Sequence, residues 1–190
     1  MKKTLLTTLV AAALAIPAYA AIQVGADAPK FTAQASLNGK EFTYSLDESL
    51  AKGPTVVYFY PSAYTQGCNI QAHTFAINME KFEAAGASVV GVSLDSIERL
   101  NDFSADPEYC AGKLAVASDS DGAIAASFDL MVREGREGMT DTRGNAIDHG
   151  FAERTTFVIG TDGKVVATVG GQGVSPEQNV LDSLAVIESL

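Results

Sequence analysis

Hydrophobic residues in this chain alternate between short continuous runs and longer stretches with helical spacing. The runs over residues 54–60 and 88–94 are mostly β-branched and large apolar residues without alternating polar positions, which is typical of central strands covered on both faces. Between them, residues 69–85 carry apolar side chains at helical spacings, and Gly86 follows as a residue that often ends a helix. The pattern therefore predicts a strand, a helix and a second strand in this part of the chain.

Two hairpins are predicted nearer the ends of the sequence. Residues 31–35 and 40–44 are β-prone and flank Asn38-Gly39, a dipeptide that favours a tight turn between two strands. Residues 155–159 and 165–169 likewise flank an Asp-Gly turn. Each pair of segments is expected to form two antiparallel strands.

The remaining pattern predicts three helices and one strand. They are a helix that opens at Ser96 and ends before Pro107, a strand over residues 113–117, a short helix over residues 122–128, and a last helix that begins at the capping-box sequence Ser175-Pro176-Glu177-Gln178. Strands that alternate with helices predict an α/β domain whose helices cover both faces of a central sheet, and the closing hairpin makes that sheet mixed.

One segment, residues 131–151, does not fit this alternation. It is polar, contains four glycines and is longer than a usual connection between elements. Long ordered loops often form lids over functional sites, but a surface insertion has the same composition. The sequence leaves both interpretations open.

The N-terminal residues have the pattern of an export signal. Lys2 and Lys3 precede an apolar run over residues 5–16, and Ala18-Tyr19-Ala20 fits a small-x-small cleavage site. We expect residues 1–20 to be a signal peptide cleaved after Ala20, so that residues 21–190 form one domain in the bacterial periplasm or outside the cell, with no membrane association after cleavage. An uncleaved membrane anchor is the alternative.

The composition narrows the classes of function. The 190 residues include 13 basic and 23 acidic side chains, for a net charge of −10. Nucleic-acid binding is not expected, because phosphate contacts need clustered Lys and Arg.

The most informative segment is the one that ends at Cys68. It begins at Pro61, directly after the first buried run, and it leads into the predicted helix at residues 69–85. A helix N-terminus offers free N–H groups and a positive dipole end, both of which stabilise a thiolate over a thiol. Cys68 is therefore a candidate nucleophile, and the backbone N–H groups of Gly67 and Cys68 are candidate donors to a developing negative charge.

The spacing of Pro61, Thr65 and Cys68 resembles the active-site signature Pro-x-x-x-Thr-x-x-Cys of the peroxiredoxins (AhpC/TSA superfamily). The segments 24–31 and 153–159 and the Asp-Gly-Lys turn at 162–164 also resemble that family, so the resemblance runs from about Val24 to the C-terminus. It is greatest for the peroxiredoxin Q, or bacterioferritin-comigratory, subgroup. The resemblance implies a thioredoxin-like fold.

The resemblance also implies a reaction and a role for each site residue. Cys68 would attack the O–O bond of hydrogen peroxide or an organic hydroperoxide, Pro61 would shield it, and Thr65 would hydrogen-bond the sulfur and the peroxide. Arg154 would supply the active-site guanidinium, and Cys110 would form a disulfide with the oxidised Cys68. The chain would then be a thiol peroxidase without a cofactor or metal, a monomer or homodimer reduced by an external thiol or a thioredoxin-like protein.

Two positions depart from the family pattern. Many relatives in the subgroup carry the second cysteine five residues after the first, where this chain has His73. Many also carry a glutamate where this chain has Gln71, and we expect an amide to keep the hydrogen bond. On a helix, His73 is expected to project away from the sulfur of Cys68.

Other functions remain open on the residues alone. The two cysteines could form a structural disulfide in an exported domain without catalytic activity. A thioredoxin-type disulfide-exchange protein is a further alternative, although the chain lacks a Cys-x-x-Cys motif. The positions of Cys68, His73, Cys110 and His149 do not match the ligand spacing of structural zinc sites.

Overall fold

The computed structural model describes residues 21–170 and 173–190. The expected signal peptide, residues 1–20, lies outside the described residues. Nine strands are described: β1 Thr32–Leu37, β2 Lys40–Ser45, β3 Thr55–Phe59, β4 Ser88–Ser93, β5 Ala115–Ser118, β6 Val132–Arg133, β7 Phe151–Ala152, β8 Thr155–Ile159 and β9 Val165–Gly170. Five helices are described: α1 Leu46–Leu50, α2 Gln66–Ala84, α3 Ile97–Ala105, α4 Ala123–Ser127 and α5 Pro176–Glu188. Within these ranges, no helix is both long and apolar enough to cross a membrane.

Seven of the strands form a mixed sheet in the order β2-β1-β5-β4-β3-β8-β9. Strands β3, β4 and β5 are parallel to one another, and the remaining pairings are antiparallel. The predicted α/β class with a mixed central sheet is confirmed. Strand β3 is buried along its whole length, which explains the continuous apolar run.

Helices cover both faces of this sheet because successive side chains of each strand point to opposite faces. Val56 and Tyr58 of β3 belong to one hydrophobic cluster, which includes side chains of α2, α3 and α5. Val57 and Phe59 belong to a second cluster, which includes side chains of α1 and α4. The two clusters together form a layered core around the sheet.

The N-terminal hairpin is confirmed and has the expected turn. Asn38 and Gly39 join β1 to β2, and their φ angles are +51° and +71°. Two consecutive positive φ angles are those of a type I′ turn, which matches the twist of antiparallel strands.

Two predicted starts differ from the structure by more than one residue, and the predicted capping box forms only in part. Helix α2 begins at Gln66 rather than at residue 69. Strand β5 begins at Ala115 rather than at residue 113, because the carbonyl of Cys110 accepts hydrogen bonds from the N–H groups of Lys113 and Leu114 in a turn. Ser175 caps α5 by accepting from the N–H of Gln178 at 3.1 Å. The Gln178 side chain contacts Asp182 instead of returning to the cap, so only half of the capping box forms.

Candidate active site

Cys68 lies in the first turn of α2, directly after the loop that follows β3. It is the third residue of the helix and is 2% exposed. The first N–H groups of an α-helix have no partner within the helix. Cys68 therefore lies at the positive end of the helix dipole.

The loop between Pro61 and Cys68 is held in a strained conformation. Tyr64 has a φ of +60°, which is unfavourable for a bulky side chain. Its ring is buried against Phe103 and Tyr109. The packed ring stabilises this backbone turn.

The hydroxyl of Thr65 makes a different contact from the one that the family resemblance implies. Its hydroxyl donates to the carbonyl of Ser62 at 2.9 Å, within the same loop. Thr65 is also the N-cap residue of α2, but its side chain makes no capping hydrogen bond. In this structure the hydroxyl therefore stabilises the loop, and its lone pairs remain available to accept.

Arg154 reaches the sulfur of Cys68 although the two residues are 86 positions apart. Strand β8 pairs antiparallel with β3, and Thr155 lies opposite Phe59. This register places Arg154 beside the end of β3, where the active-site loop begins. Its Nη2 donates to Sγ of Cys68 at 3.2 Å. A charge-assisted hydrogen bond of this kind stabilises a thiolate.

Gly67 leaves room for this guanidinium. A Cβ at position 67 would lie 3.2 Å from Nη2 of Arg154 and 3.6 Å from Cγ of Pro176. Gly67, in the first turn of α2, therefore permits the close approach of Arg154.

Gln71 lies one turn beyond Cys68 and is the second partner of Arg154. Its Oε1 accepts from Nη1 of the guanidinium. Its Nε2 donates to Oδ1 of Asn179, on α5, at 2.9 Å. The amide thus keeps the hydrogen bond expected of it. Asn179 is not identifiable from the sequence pattern, because its place beside Gln71 depends on how α5 packs against α2.

Cys110 is fully buried in the turn that follows α3. It belongs to the same hydrophobic cluster as Cys68, and both thiols are free. Burial, with a smaller effect from the nearby Asp106 carboxylate, raises the pKa of the Cys110 thiol. In this arrangement Cys110 stays protonated, so it has little nucleophilic character before the site rearranges.

A buried carboxylate stabilises the active-site loop through hydrogen bonds. Asp95 follows β4 and is 0% exposed. Its oxygens accept from the N–H of Ala63 at 2.7 Å, the hydroxyl of Ser62 at 2.9 Å and the hydroxyl of Ser93 at 2.7 Å. Burial alone would raise the pKa of Asp95, but hydrogen bonds and the nearby His149 give a net lowered pKa. The ionised carboxylate therefore fixes the loop.

His149 attaches the segment 131–151 to this carboxylate. Its Nε2 contacts Oδ1 of Asp95 at 2.9 Å, and its Nδ1 contacts the carbonyl of Gly150 at 2.7 Å. Both partners are acceptors, so both ring nitrogens carry protons and the ring is an imidazolium. Burial alone would lower the pKa of His149, but the Asp95 contact raises it overall.

Two further contacts hold the same segment against the loop. Thr142 donates to the carbonyl of Tyr64 from its N–H at 2.9 Å and from its hydroxyl at 2.8 Å. Arg99 bridges the carbonyl of Ala63 at 2.9 Å and Asp141 at 2.8 Å. The segment also contains β6, which pairs with β7 at the segment's end. It is thus an ordered wall that contacts the active-site loop.

This wall borders an open pocket of about 430 Å³ that reaches Pro61 and Arg154. Pro61 and Arg154 line one side. Side chains of the segment, including Arg133, Met139 and Phe151, line the other. Cys68 itself is buried and is not among the lining residues, so the pocket meets the site at Pro61 and Arg154.

His73 projects away from the cysteine, as expected. It is exposed, and its Nδ1 contacts the carbonyl of Glu108 at 3.0 Å. Across residues 21–170 and 173–190, no group of three or more His, Cys, Asp or Glu side chains is placed to hold a metal ion.

Comparison with known families extends over most of the chain. The AhpC/TSA family model matches residues 24–168. The chain is 30% identical over 172 residues to the chloroplastic peroxiredoxin Q of Sedum lineare, an alignment that covers 90% of this chain and 81% of that protein. It is 32% identical over 111 residues to peroxiredoxin Bcp of Xanthomonas campestris, covering 58% of this chain. That second alignment spans 62% of the Xanthomonas protein.

The fold also matches a solved structure. The crystal structure of peroxidoxin BcpB from Mycobacterium tuberculosis superposes with a TM-score of 0.72 at 28% identity. The match covers 89% of this chain and 98% of that one. The expected thioredoxin-like fold is confirmed.

Proposed function

The chain belongs to the AhpC/TSA family, the peroxiredoxins, and on that premise we propose that it reduces peroxides with Cys68 as the attacking nucleophile. The observation that carries the proposal is the hydrogen bond from Nη2 of Arg154 to Sγ of Cys68, at 3.2 Å, in the first turn of α2. A buried thiol that receives a guanidinium donor at a helix N-terminus is arranged to react as a thiolate.

In the first step, the Cys68 thiolate attacks one oxygen of the peroxide. An S–O bond forms and the O–O bond breaks, so the sulfur is oxidised to a sulfenic acid. The leaving hydroxide or alkoxide takes a proton and departs as water or an alcohol. Arg154 and the N–H groups of the first helical turn stabilise the charge that develops on the leaving oxygen.

In the second step, we assign the thiol of Cys110 to attack the sulfenic sulfur. An S–S bond forms and water leaves. A disulfide needs Cα atoms within roughly 7 Å. Both sulfurs are buried, and Cys110 stays protonated while it is buried. If the two Cα atoms lie farther apart than this in the reduced protein, the first turn of α2 must unwind for the bond to close, and a helix end opens at low free-energy cost.

The pocket beside Pro61 supports organic hydroperoxides as substrates in addition to hydrogen peroxide. Its volume of about 430 Å³ exceeds what hydrogen peroxide needs, and Met139 and Phe151 contribute apolar surface. A hydroperoxide with a hydrocarbon body would place that body against these side chains while its O–O bond lies toward Arg154, which contacts Cys68.

The proposed cycle also needs a reductant in the compartment where the protein acts. The Cys68–Cys110 disulfide would be reduced by an external thiol or a thioredoxin-like protein. If residues 1–20 direct export to the periplasm, that reductant must act outside the cytosol. For the oligomeric state we propose a monomer or a homodimer.

Peroxide consumption at stoichiometric enzyme concentration tests the proposal. The reduced parent protein should consume one equivalent of hydrogen peroxide rapidly, and so should Cys110→Ser. Cys68→Ser should consume none while keeping its circular dichroism spectrum. A folded Cys68→Ser variant that consumes peroxide at the parent rate would refute the assignment. A parent that exchanges disulfides but leaves peroxide intact would favour a thioredoxin-type function.

A further inference from the structure

Asn179 of α5 is held in one orientation by the main chain. The side chain is 1% exposed, and its Nδ2 donates to the carbonyl of Val169 at 3.1 Å. A carbonyl can only accept, so the amide nitrogen must face it. The amide oxygen then faces the other way, where it accepts from the hydroxyl of Thr156 at 2.7 Å and from Nε2 of Gln71 at 2.9 Å.

This orientation determines the direction of the hydrogen bonds that follow. Gln71 is fully buried and must turn its nitrogen to Asn179, so its oxygen faces Nη1 of Arg154. The other guanidinium nitrogen, Nη2, donates to the sulfur of Cys68. If both amides were reversed, Asn179 would turn its oxygen to the Val169 carbonyl, and Gln71 would turn its nitrogen to the guanidinium. Both contacts would be repulsive, so only one polarity satisfies every bond.

The result is an arginine whose supporting partner is neutral. Among the described residues, no ion pair joins Arg154 to a carboxylate. A glutamate at position 71 would present a second acceptor to the amide oxygen of Asn179, and the carbonyl of Val169 prevents that amide from reversing. Gln71 and Asn179 are therefore matched, and together they leave the charge of Arg154 available to the sulfur.

We propose that Asn179 is a positioning residue for Cys68: it fixes the polarity of Gln71 and so holds the Arg154 guanidinium against the sulfur. The proposal rests on the proposed role of Cys68 as the nucleophile. It also couples the C-terminal helix to the active site, because Gln71 joins α2 to α5 one turn beyond the cysteine.

A double-mutant cycle tests this inference. Asn179→Leu removes both bonds of the amide, and Gln71→Met removes the bond to Arg154 at similar volume. The primary readout is the rate at which iodoacetamide alkylates Cys68 at neutral pH, measured in a Cys110→Ser background. Alkylation reports thiolate reactivity without requiring peroxide turnover. The rate of reaction with hydrogen peroxide is the second readout.

Each single change should slow alkylation about tenfold, the order expected for a displaced charge-assisted hydrogen bond. The double variant should also be slowed about tenfold, because Asn179 acts through Gln71. Thr156→Val is the matched control, since it removes a bond to the same oxygen of Asn179 without interrupting the path to Arg154. It should alkylate at the parent rate.

Two results would overturn the inference. One is a double variant slowed about a hundredfold, which would mean that Asn179 and Gln71 act independently. The other is an Asn179→Leu variant that alkylates as fast as Thr156→Val. If Asn179→Leu does not fold, Asn179→Ser replaces it, because the shorter side chain cannot bridge Val169 and Gln71. A parent that fails to consume peroxide would refute the proposed function, but the alkylation cycle would still decide the role of Asn179.

Discussion

The substitution Gly67→Ala should slow peroxide reduction without destabilising the fold. The added Cβ would lie 3.2 Å from Nη2 of Arg154, which is tighter than an ordinary van der Waals contact. The guanidinium is held in place by Gln71 and by Cys68. It must therefore shift by a few tenths of an ångström, and the hydrogen bond to the sulfur weakens.

The expected decrease in rate is smaller than the decrease caused by removing the whole donor. Complete removal of one preorganised donor costs on the order of 10²–10³ in rate. A weakened bond should cost about tenfold, which corresponds to ~1.4 kcal/mol of transition-state stabilisation. The effect on stability has the opposite sign, because alanine is favoured over glycine in a helix by up to ~1 kcal/mol. Gly67 is not among the residues with positive φ, so its backbone conformation suits alanine, and Tm should be unchanged or rise by about 2–4 °C.

The rate should be measured by mixing reduced protein with hydrogen peroxide and quenching with an alkylating reagent before mass spectrometry. Tryptophan fluorescence cannot be used, because the chain contains no tryptophan. The control is Gln66→Ala, an exposed position in the same helical turn, which should react at the parent rate. A Gly67→Ala variant with the parent rate and an unchanged or higher Tm would show that the approach of Arg154 does not limit the reaction.

Three further predictions follow from the same site. Arg154→Ala should slow the reaction with peroxide by on the order of 10²–10³, whereas Arg133→Ala, which removes another arginine of the same pocket, should change it less than about threefold in stopped-flow competition assays. Under excess peroxide, Cys110→Ser should accumulate sulfenic acid and then sulfinic acid at Cys68, as read by mass spectrometry. The parent should instead form an intramolecular disulfide and lose local helix, and a disulfide-linked dimer in the parent would contradict that cycle. The pKa of His149 is raised above its ordinary value of 6.5. The free energy with which the charged ring holds the segment 131–151 is therefore fully present below pH 6.5, and it is lost as the pH rises through the higher pKa of the folded state. Limited proteolysis of the segment should therefore accelerate at alkaline pH in the parent, and His149→Ala should be cleaved rapidly at every pH; equal cleavage of both proteins at neutral pH would refute the role of His149.

The elements that depend on local patterns were predictable from the sequence. The Asn38-Gly39 turn specifies its hairpin because few residues adopt two consecutive positive φ angles. The continuous apolar run of β3 indicates a strand covered on both faces. The start of α2 was harder to predict, because Thr65 makes no side-chain cap and Gly67 in the first turn is a weak helix former.

The parts of the site that depend on long-range pairing were only partly predictable. The resemblance suggested Arg154, but its contact with Cys68 follows from the register between β3 and β8. Nothing local in the sequence identifies Asn179 as a partner of Gln71, or His149 as a partner of Asp95. These pairs are 108 and 54 positions apart, and the packing of helices and loops around the sheet brings them together.

The order in which the two cysteines are oxidised shows which of them attacks the peroxide. Reduced parent protein should be mixed with one equivalent of hydrogen peroxide, quenched at increasing times and mapped by peptide mass spectrometry. Sulfenic acid should appear first at Cys68, and a Cys68–Cys110 disulfide should then replace it. First oxidation at Cys110, or a Cys68 thiol that persists while peroxide disappears, would contradict it.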